Sequence, residues 1–184
     1  MAKTVTVMTP YATLSFPVLF TPKPRAPEKE PEYGAVLLFD DTAQRSPEFK
    51  AMQAAVKEVA VDRFGAQVNF KSLRLPFRDA GEKADKYQGY EEGVVAVSAY
   101  SKNKPGIVDA RLQQVLLPEQ VYAGQLVRAQ LNCFAYDVSG NKGVSFGLNH
   151  IQIVKHDAPR IDGRVSAEKA FSVIEDADEE VVPF

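Results

Sequence analysis

Alternation of apolar and polar positions, the pattern of half-buried strands, recurs along most of the chain. The first such segment is expected to end at Pro17, before a Pro-rich, charged stretch over 21–31. The last two segments flank glycines and an asparagine that suit a hairpin turn, and Leu148 and Ile151 break the alternation, which predicts a bulge near Asn149. The predicted strands cover residues 11–16, 33–39, 93–102, 107–108, 126–136 and 144–155.

One segment has helical periodicity instead. Ser46 suits the N-cap, Pro47 the first helical position and Gly65 the position just past the end. Apolar residues recur between them at three- and four-residue steps, which predicts one stripe packed on the sheet. Residues 75–92 are polar and irregular and predict a long surface loop, a kind of segment that often carries function. A short helix is predicted over 166–174.

These elements predict a mainly β protein, an antiparallel barrel of five to seven strands with one long helix. The 184 residues are long enough to bury one core, and 45% hydrophobic and 25% charged residues are ordinary for a globular protein. No apolar run approaches the roughly 18 residues of a membrane span, so we expect a soluble, membrane-free protein. The single cysteine, Cys133, excludes an internal disulfide and is expected in the core.

The last ten residues are strongly acidic and end on Val-Pro-Phe. Such a run repels itself and predicts a solvated, disordered tail, while a terminal phenylalanine suits a basic pocket on a partner. A solubilising tail with a chance aromatic end is the alternative. The tail residues expected to bind a partner are Asp176, Asp178, Glu179, Glu180, Pro183 and Phe184.

Charge is unevenly divided between this tail and the rest of the chain. The net charge is −2, but the tail holds five of the 24 acidic residues, so 22 Lys and Arg face 19 acids in residues 1–174, about +3. A mildly basic body can bind a polyanion, and its own acidic tail can compete for the same surface. Exposed charges act over only about 10 Å at 0.1 M salt, so this competition is expected to be weak and reversible.

Alternation also separates two faces of the strand over 126–136. Val127, Ala129, Leu131, Cys133 and Ala135 are predicted to form an apolar inner face. The opposite face combines a cation, two amides and two rings, and the strand ending at Lys102 adds a similar set. Rings interleaved with cations are typical of single-stranded nucleic acid binding, in which bases stack on rings and cations contact phosphates. The predicted binding residues are Arg78, Lys83, Lys86, Tyr87, Tyr90, Tyr100, Lys102, Arg128, Gln130, Asn132, Phe134 and Tyr136.

The alternative for each ring is a packing role in the core or across strands. Phe16 and Phe146 are the weakest candidates for stacking, because both suit a barrel interior.

Several segments together resemble phage-encoded single-stranded DNA-binding proteins with an OB-fold, including a phage group long catalogued as a domain of unknown function. The resemblance rests on the strand before Pro17, on Leu-Pro-Phe-Arg-Asp at 75–79, on Gly-Tyr-Glu-Glu-Gly at 89–93 and on 139–152. The acidic, Phe-ended terminus resembles the tails of phage and bacterial single-strand binders. Taken as a whole, the resemblance implies an OB barrel over 1–160, a linker or short helix over 161–174 and an acidic interaction tail over 175–184.

The same resemblance implies a function in phage DNA replication, recombination and repair, in the cytoplasm of the host cell, with no catalysis and no cofactor. The implied partners are single-stranded DNA and, through the tail, a polymerase, helicase or nuclease. The sequence leaves the oligomeric state open, including a homodimer.

Other functions have less support in the sequence. Its Asp residues and its two His residues show no metal-ligand spacing, and there is no Walker loop or dinucleotide-binding glycine pattern. A protein scaffold, such as a virion or adaptor protein, would not need the ring-and-cation face. A double-strand binder would need a basic recognition helix, which the sequence does not show.

Overall fold

The computed structural model describes residues 3–165 and 167–174. Within these ranges the helices are α1 (Asp41–Gln44), α2 (Pro47–Phe64) and α3 (Ala167–Ala170), and short 3-10 turns cover Phe70–Ser72, Ala80–Lys83 and Pro118–Gln120. The strands are β1 (Thr4–Met8), β2 (Ala12–Pro24), β3 (Pro31–Phe39), β4 (Arg78–Asp79), β5 (Val95–Ser101), β6 (Gly106–Val108), β7 (Leu126–Val138) and β8 (Asn141–Lys155).

Five strands close into a barrel in the order β2, β3, β5, β8, β7 and back to β2. All pairs in this ring are antiparallel except β5 with β8, which run parallel. This is the five-stranded arrangement of an OB-fold, so the predicted barrel is confirmed, with one parallel contact at its closure. The accessory strands β1, β4 and β6 extend the sheet beside β7, β5 and β8.

The barrel interior follows the predicted alternation. Val127, Ala129, Leu131 and Cys133 of β7 are each at most 1% exposed and pack with the inner residues of the other strands. Phe146 of β8 is buried in the same core. Because inner positions are apolar and mostly small, the outer face of β7 and β8 is left to carry the polar and aromatic side chains.

The long helix forms where the sequence predicts it. The Ser46 hydroxyl accepts a hydrogen bond of 3.1 Å from the Phe49 amide, and the helix ends at Gly65, whose φ of 94° suits a glycine. The buried stripe packs α2 against β1, β7 and β8. The helix therefore covers one side of the barrel and leaves another open.

The first barrel strand is longer than predicted. The sequence pattern predicts a strand that ends at Pro17, but β2 continues to Pro24. A break in register between Ser15 and Val18 lets the strand pass the proline, and Phe16 within it has a φ of 43°. The resulting β2–β3 hairpin places its tip, residues 25–30, beside the sheet.

Other local predictions are confirmed, some with shifted ends. The β7–β8 ladder runs to Val138 and Asn141, so the hairpin loop contains only Ser139 and Gly140, both with positive φ. Asn149 is the extra residue of a bulge in β8, opposite the step from Gln130 to Leu131. The predicted helix over 166–174 is the single turn α3, and the predicted tail over 175–184 lies outside the described residues.

No helix in the described ranges combines the length and apolarity that crossing a bilayer requires.

Candidate nucleic-acid interface

The outer face of β5, β7 and β8 forms the floor of an open groove of about 710 Å³, here called the main groove. Three rings, Tyr100, Phe134 and Tyr136, lie on this floor, and each is partly exposed. The β2–β3 hairpin tip lines one side and the segment 74–83 lines the other. The groove is therefore an aromatic surface between two walls.

Both walls are basic. Five cationic side chains line the main groove, and no acidic side chain of the described residues does. In the wall opposite the hairpin, the Arg74 amide donates a hydrogen bond of 3.0 Å to the Lys142 carbonyl, and the Arg74 carbonyl accepts one of 2.9 Å from Val144. These two bonds fix that wall to the start of β8. The five cations are Arg25, Lys29, Arg74, Arg78 and Lys83.

Glycines beneath the rings let them lie close to the sheet. Tyr100 pairs with Gly34 of β3, where an added Cβ would collide with the Tyr100 ring. Tyr136 pairs with Gly143 of β8, where an added Cβ would stand 2.6 Å from the tyrosine oxygen. A side chain at either glycine would force the ring off the sheet, so these glycines permit flat, outward-facing ring surfaces.

The hairpin wall contacts the floor directly. The Arg25 guanidinium lies over the Tyr100 ring, 3.9 Å from its centre, and its Nε donates a hydrogen bond of 2.7 Å to Glu32. This places a cation over the ring of a floor residue.

Lys102 lies just beyond this groove and directly follows β5, the strand that carries Tyr100, although the sequence predicts that this strand reaches residue 102. Its ammonium group forms an ion pair with Glu30 of the hairpin tip at 2.8 Å. The hydrogen bond between them raises the pKa of Lys102 and lowers the pKa of Glu30. Both groups are exposed, so the pair can open easily.

Arg128, Gln130 and Asn132 lie on the same outer face of β7, nearer the start of the strand than Phe134 and Tyr136. Arg128 donates a hydrogen bond of 2.6 Å to Gln152, and Asn132 exchanges hydrogen bonds of 2.9 and 3.0 Å with Asn149. These side chains are joined in a polar ladder along β7 and β8 and are not among those that line the main groove.

The remaining predicted residues lie on the other side of the 75–92 loop. Tyr90 is only 4% exposed and shares a hydrogen bond of 2.9 Å with Ser15, and burial raises its pKa. This tyrosine is a packing residue and offers no face to a base. Tyr87 is 39% exposed, and Lys86 lies beside it.

No three His, Cys, Asp or Glu side chains of the described residues lie close enough together to hold a metal ion. Burial raises the pKa of the Cys133 thiol to about 12, so at neutral pH it is a protonated core group.

With this geometry in view, the comparisons with known proteins decide the family. The family model described as the Enterobacter phage Enc34 ssDNA-binding protein matches residues 5–182, nearly the whole chain. The chain belongs to this family. No curated protein matches the sequence.

Solved structures of the family have the same fold. The single-stranded DNA-binding protein of bacteriophage Enc34 in complex with ssDNA is 18% identical, with a TM-score of 0.71 over 84% of this chain and 88% of that chain. The same phage protein without DNA gives a TM-score of 0.69 at 18% identity, over 91% and 90% of the two chains.

A protein from a different phage is also similar. Gp2.5, a single-stranded DNA-binding protein encoded by bacteriophage T7, gives a TM-score of 0.56 at 15% identity, over 95% of this chain and 97% of that chain. At these identities the likeness shows the fold.

Three of the five cations that line the main groove are not among the binding residues predicted from the sequence. Arg25 and Lys29 fall in the Pro-rich, charged stretch over 21–31, whose pattern indicates only that a strand has ended. Arg74 lies between Leu73, which is buried, and Leu75, which packs against the core. That alternation was a signal for an outward-facing cation, but nothing in the sequence indicated which surface it faces.

Proposed function

We propose that this protein binds single-stranded DNA in the main groove, with little preference for base sequence. The observation that carries the proposal is a groove floor of three partly exposed rings, lined by five cations and by no acidic side chain of the described residues. Membership in a phage single-stranded DNA-binding family supports the same function.

The binding mechanism follows from these groups. Bases stack on the faces of Tyr100, Phe134 and Tyr136, each contributing about 1–3 kcal/mol, and stacking tolerates any base because every base has a flat face. Cations on both walls contact the phosphates, which makes affinity depend on salt. In a duplex the base faces are already stacked and paired, so a surface of flat rings selects single strands.

Arg25 has two positions in this proposal. In the free protein it covers the exposed face of Tyr100. An incoming base takes that face, and the guanidinium moves outward to a phosphate. The exchange is cheap because Arg25 is a long, exposed side chain held by one ion pair.

We further propose that coating of exposed strands serves phage DNA replication and recombination in the host cytoplasm, and that the acidic tail over 175–184 recruits replication or repair proteins. The charge division in the sequence supports a second tail function, weak competition with DNA for the basic groove. Deletion of residues 175–184 should then tighten DNA binding, most clearly at low salt. Equal affinity at every salt concentration would remove the competition, although not the recruitment.

The test is fluorescence anisotropy of labelled oligo-dT, titrated with the protein at two salt concentrations, with a duplex of equal length as competitor. We expect salt-sensitive binding that the duplex does not compete away. Tyr100→Ala should lower affinity roughly 5- to 150-fold, the loss of one stacking partner, and Tyr100→Phe should keep most of it. Tyr11→Ala is the matched control, because Tyr11 is 55% exposed and lines neither wall nor floor.

An absence of binding at both salt concentrations would reject the function and favour the protein-scaffold alternative. Full affinity in a folded Tyr100→Ala variant would leave the function open but remove this ring from the site.

A further inference from the structure

Two more exposed rings, Phe16 and Tyr87, lie together outside the main groove, and the backbone at Phe16 is strained. Phe16 is 50% exposed although it is a large apolar residue, and its φ of 43° is rare for any residue with a side chain. It stands in the bulge of β2, and its ring meets the edge of Tyr87 at 4.9 Å between centres. Strain without a buried ring suggests that the position is kept for binding and not for packing.

These two rings border a separate groove of about 640 Å³, here called the second groove. Three cations line it, Lys86, Arg160 and Arg164, with one acid, Asp162. Asp162 accepts hydrogen bonds of 3.2 and 3.0 Å from Arg160, and that contact lowers its pKa. The second groove therefore has a net positive charge beside two exposed rings, the same chemistry as the main groove.

The far wall of the second groove is fixed to the barrel. The Tyr122 hydroxyl shares its one proton between the carbonyl oxygens of His156 and Ala158, and the Arg160 guanidinium lies 4.5 Å from the centre of the Tyr122 ring. The Ile161 amide donates to the Ala123 carbonyl at 3.0 Å. The cations on this wall thus have defined positions before any ligand binds.

The two grooves adjoin across one turn of the 75–92 loop. Lys83 lines the main groove, Lys86 and Tyr87 line the second, and the amides of both donate to the Lys83 carbonyl. On the sheet beneath, Ser15 pairs with Val36, which pairs with Ser98 of the main groove. Two strand spacings of about 4.8 Å therefore separate the near walls by roughly 10 Å.

We propose that the second groove is an additional subsite for single-stranded DNA, in which bases stack on Phe16 and Tyr87 and phosphates contact Lys86 and Arg164. A strand leaving the main groove crosses the turn at Lys83 and enters it. The inference rests on the proposed function and extends it: short strands occupy the main groove alone, and longer strands gain the second groove. The combined site stays within the range of about 4–16 nucleotides known for one OB-fold.

The test is a length series of labelled oligo-dT, from about 4 to 16 nucleotides, measured by anisotropy on the full-length protein. Phe16→Gly removes the ring and relieves the strained backbone, and Tyr87→Ala removes its neighbour. We expect affinity for the shortest bound strands to match the wild type, and affinity for the longest strands to fall about tenfold. Lys86→Ala should lower the salt dependence by about 0.7 in log–log slope for long strands only.

The controls separate this subsite from general effects. Leu112→Gly matches Phe16→Gly, because Leu112 is 72% exposed with a φ of 64° and lines neither groove. It should leave every length unchanged.

Three outcomes are distinguishable. Wild-type affinity of both ring variants at every length would overturn the subsite and leave the main groove intact, and the second groove would then be a candidate for a protein segment. An equal loss of affinity in the ring variants at every strand length would also overturn the subsite, because the second groove should contribute only to the binding of longer strands. Absence of binding by the wild type at all lengths would reject the proposed function itself.

Discussion

The ring of Tyr100 lies against the backbone of Gly34, its partner on the neighbouring strand, so that a Cβ on Gly34 would overlap the ring. The Arg25 guanidinium lies over the same ring, 3.9 Å from its centre. Tyr100 therefore contacts both a bare stretch of backbone and a displaceable cation. A base can take the place of the cation only if the backbone beneath stays bare.

Gly34→Ala should lower affinity for single-stranded DNA by about the value of one stacked base, 1–3 kcal/mol, because the methyl group pushes Tyr100 off the sheet. The same methyl would stand 2.8 Å from the Ala99 carbonyl oxygen, so the free energy of unfolding should also fall by about 1–3 kcal/mol. Anisotropy titration and urea denaturation measure the two effects.

The control is Gly147→Ala on the same face, where the nearest atoms to an added Cβ lie at 3.6 Å or more. It should leave the stability close to that of the wild type. If Gly34→Ala had the stability and DNA affinity of the wild type, Gly34 would not be needed to keep the Tyr100 ring in place.

Arg74→Ala and Lys83→Ala should each reduce the salt dependence of binding, by about 0.7 in the slope of log affinity against log salt, if each neutralises one phosphate. Arg111→Ala, an exposed cation outside both grooves, should leave the slope unchanged. Titrations at four or more salt concentrations give these slopes and test whether each cation neutralises a phosphate. An unchanged slope in both groove variants would place the phosphates elsewhere.

Glu30→Gln should strengthen binding, because it releases Lys102 from an ion pair at 2.8 Å and removes a negative charge beside the main groove. Since Lys102 lowers the pKa of Glu30, the pair stays ionised at neutral pH and breaks only as the pH falls through that lowered value. The gain should therefore persist across the neutral range. Glu28→Gln removes the same charge from the hairpin tip, and a gain of equal size there would show that the release of Lys102 contributes nothing.

Cys133 should resist alkylation in the folded protein, because burial raises the pKa of its thiol to about 12 and its side chain is inside the barrel. The unfolded thiol ionises at a lower pH, so this group makes folding less favourable as the pH rises above the unfolded value. Iodoacetamide labelling followed by mass spectrometry should show slow modification in buffer and rapid modification in denaturant. Rapid labelling of the native protein would indicate that the barrel opens at β7.

Much of the local structure follows from short-range patterns in the sequence. The alternation of apolar and polar residues over 126–136 predicts that Val127 faces inward and Arg128 outward. The N-cap at Ser46 predicts the start of α2, and the break in alternation at Leu148 and Ile151 predicts the bulge at Asn149. Each of these depends on residues that are close in the chain, and strand and helix periods are local properties.

Which outer residues meet depends on long-range contacts that appear first in the folded protein. Alternation assigns a side chain to a face but does not say which strand lies beside it, so the parallel closure of β5 on β8 and the pairing of Tyr100 with Gly34 were not readable from the sequence. The same limit hid the basic wall at Arg74 and the burial of Tyr90 against Ser15. Contacts between segments far apart in the chain depend on how the barrel closes, and it is this closure that brings rings and cations into one groove.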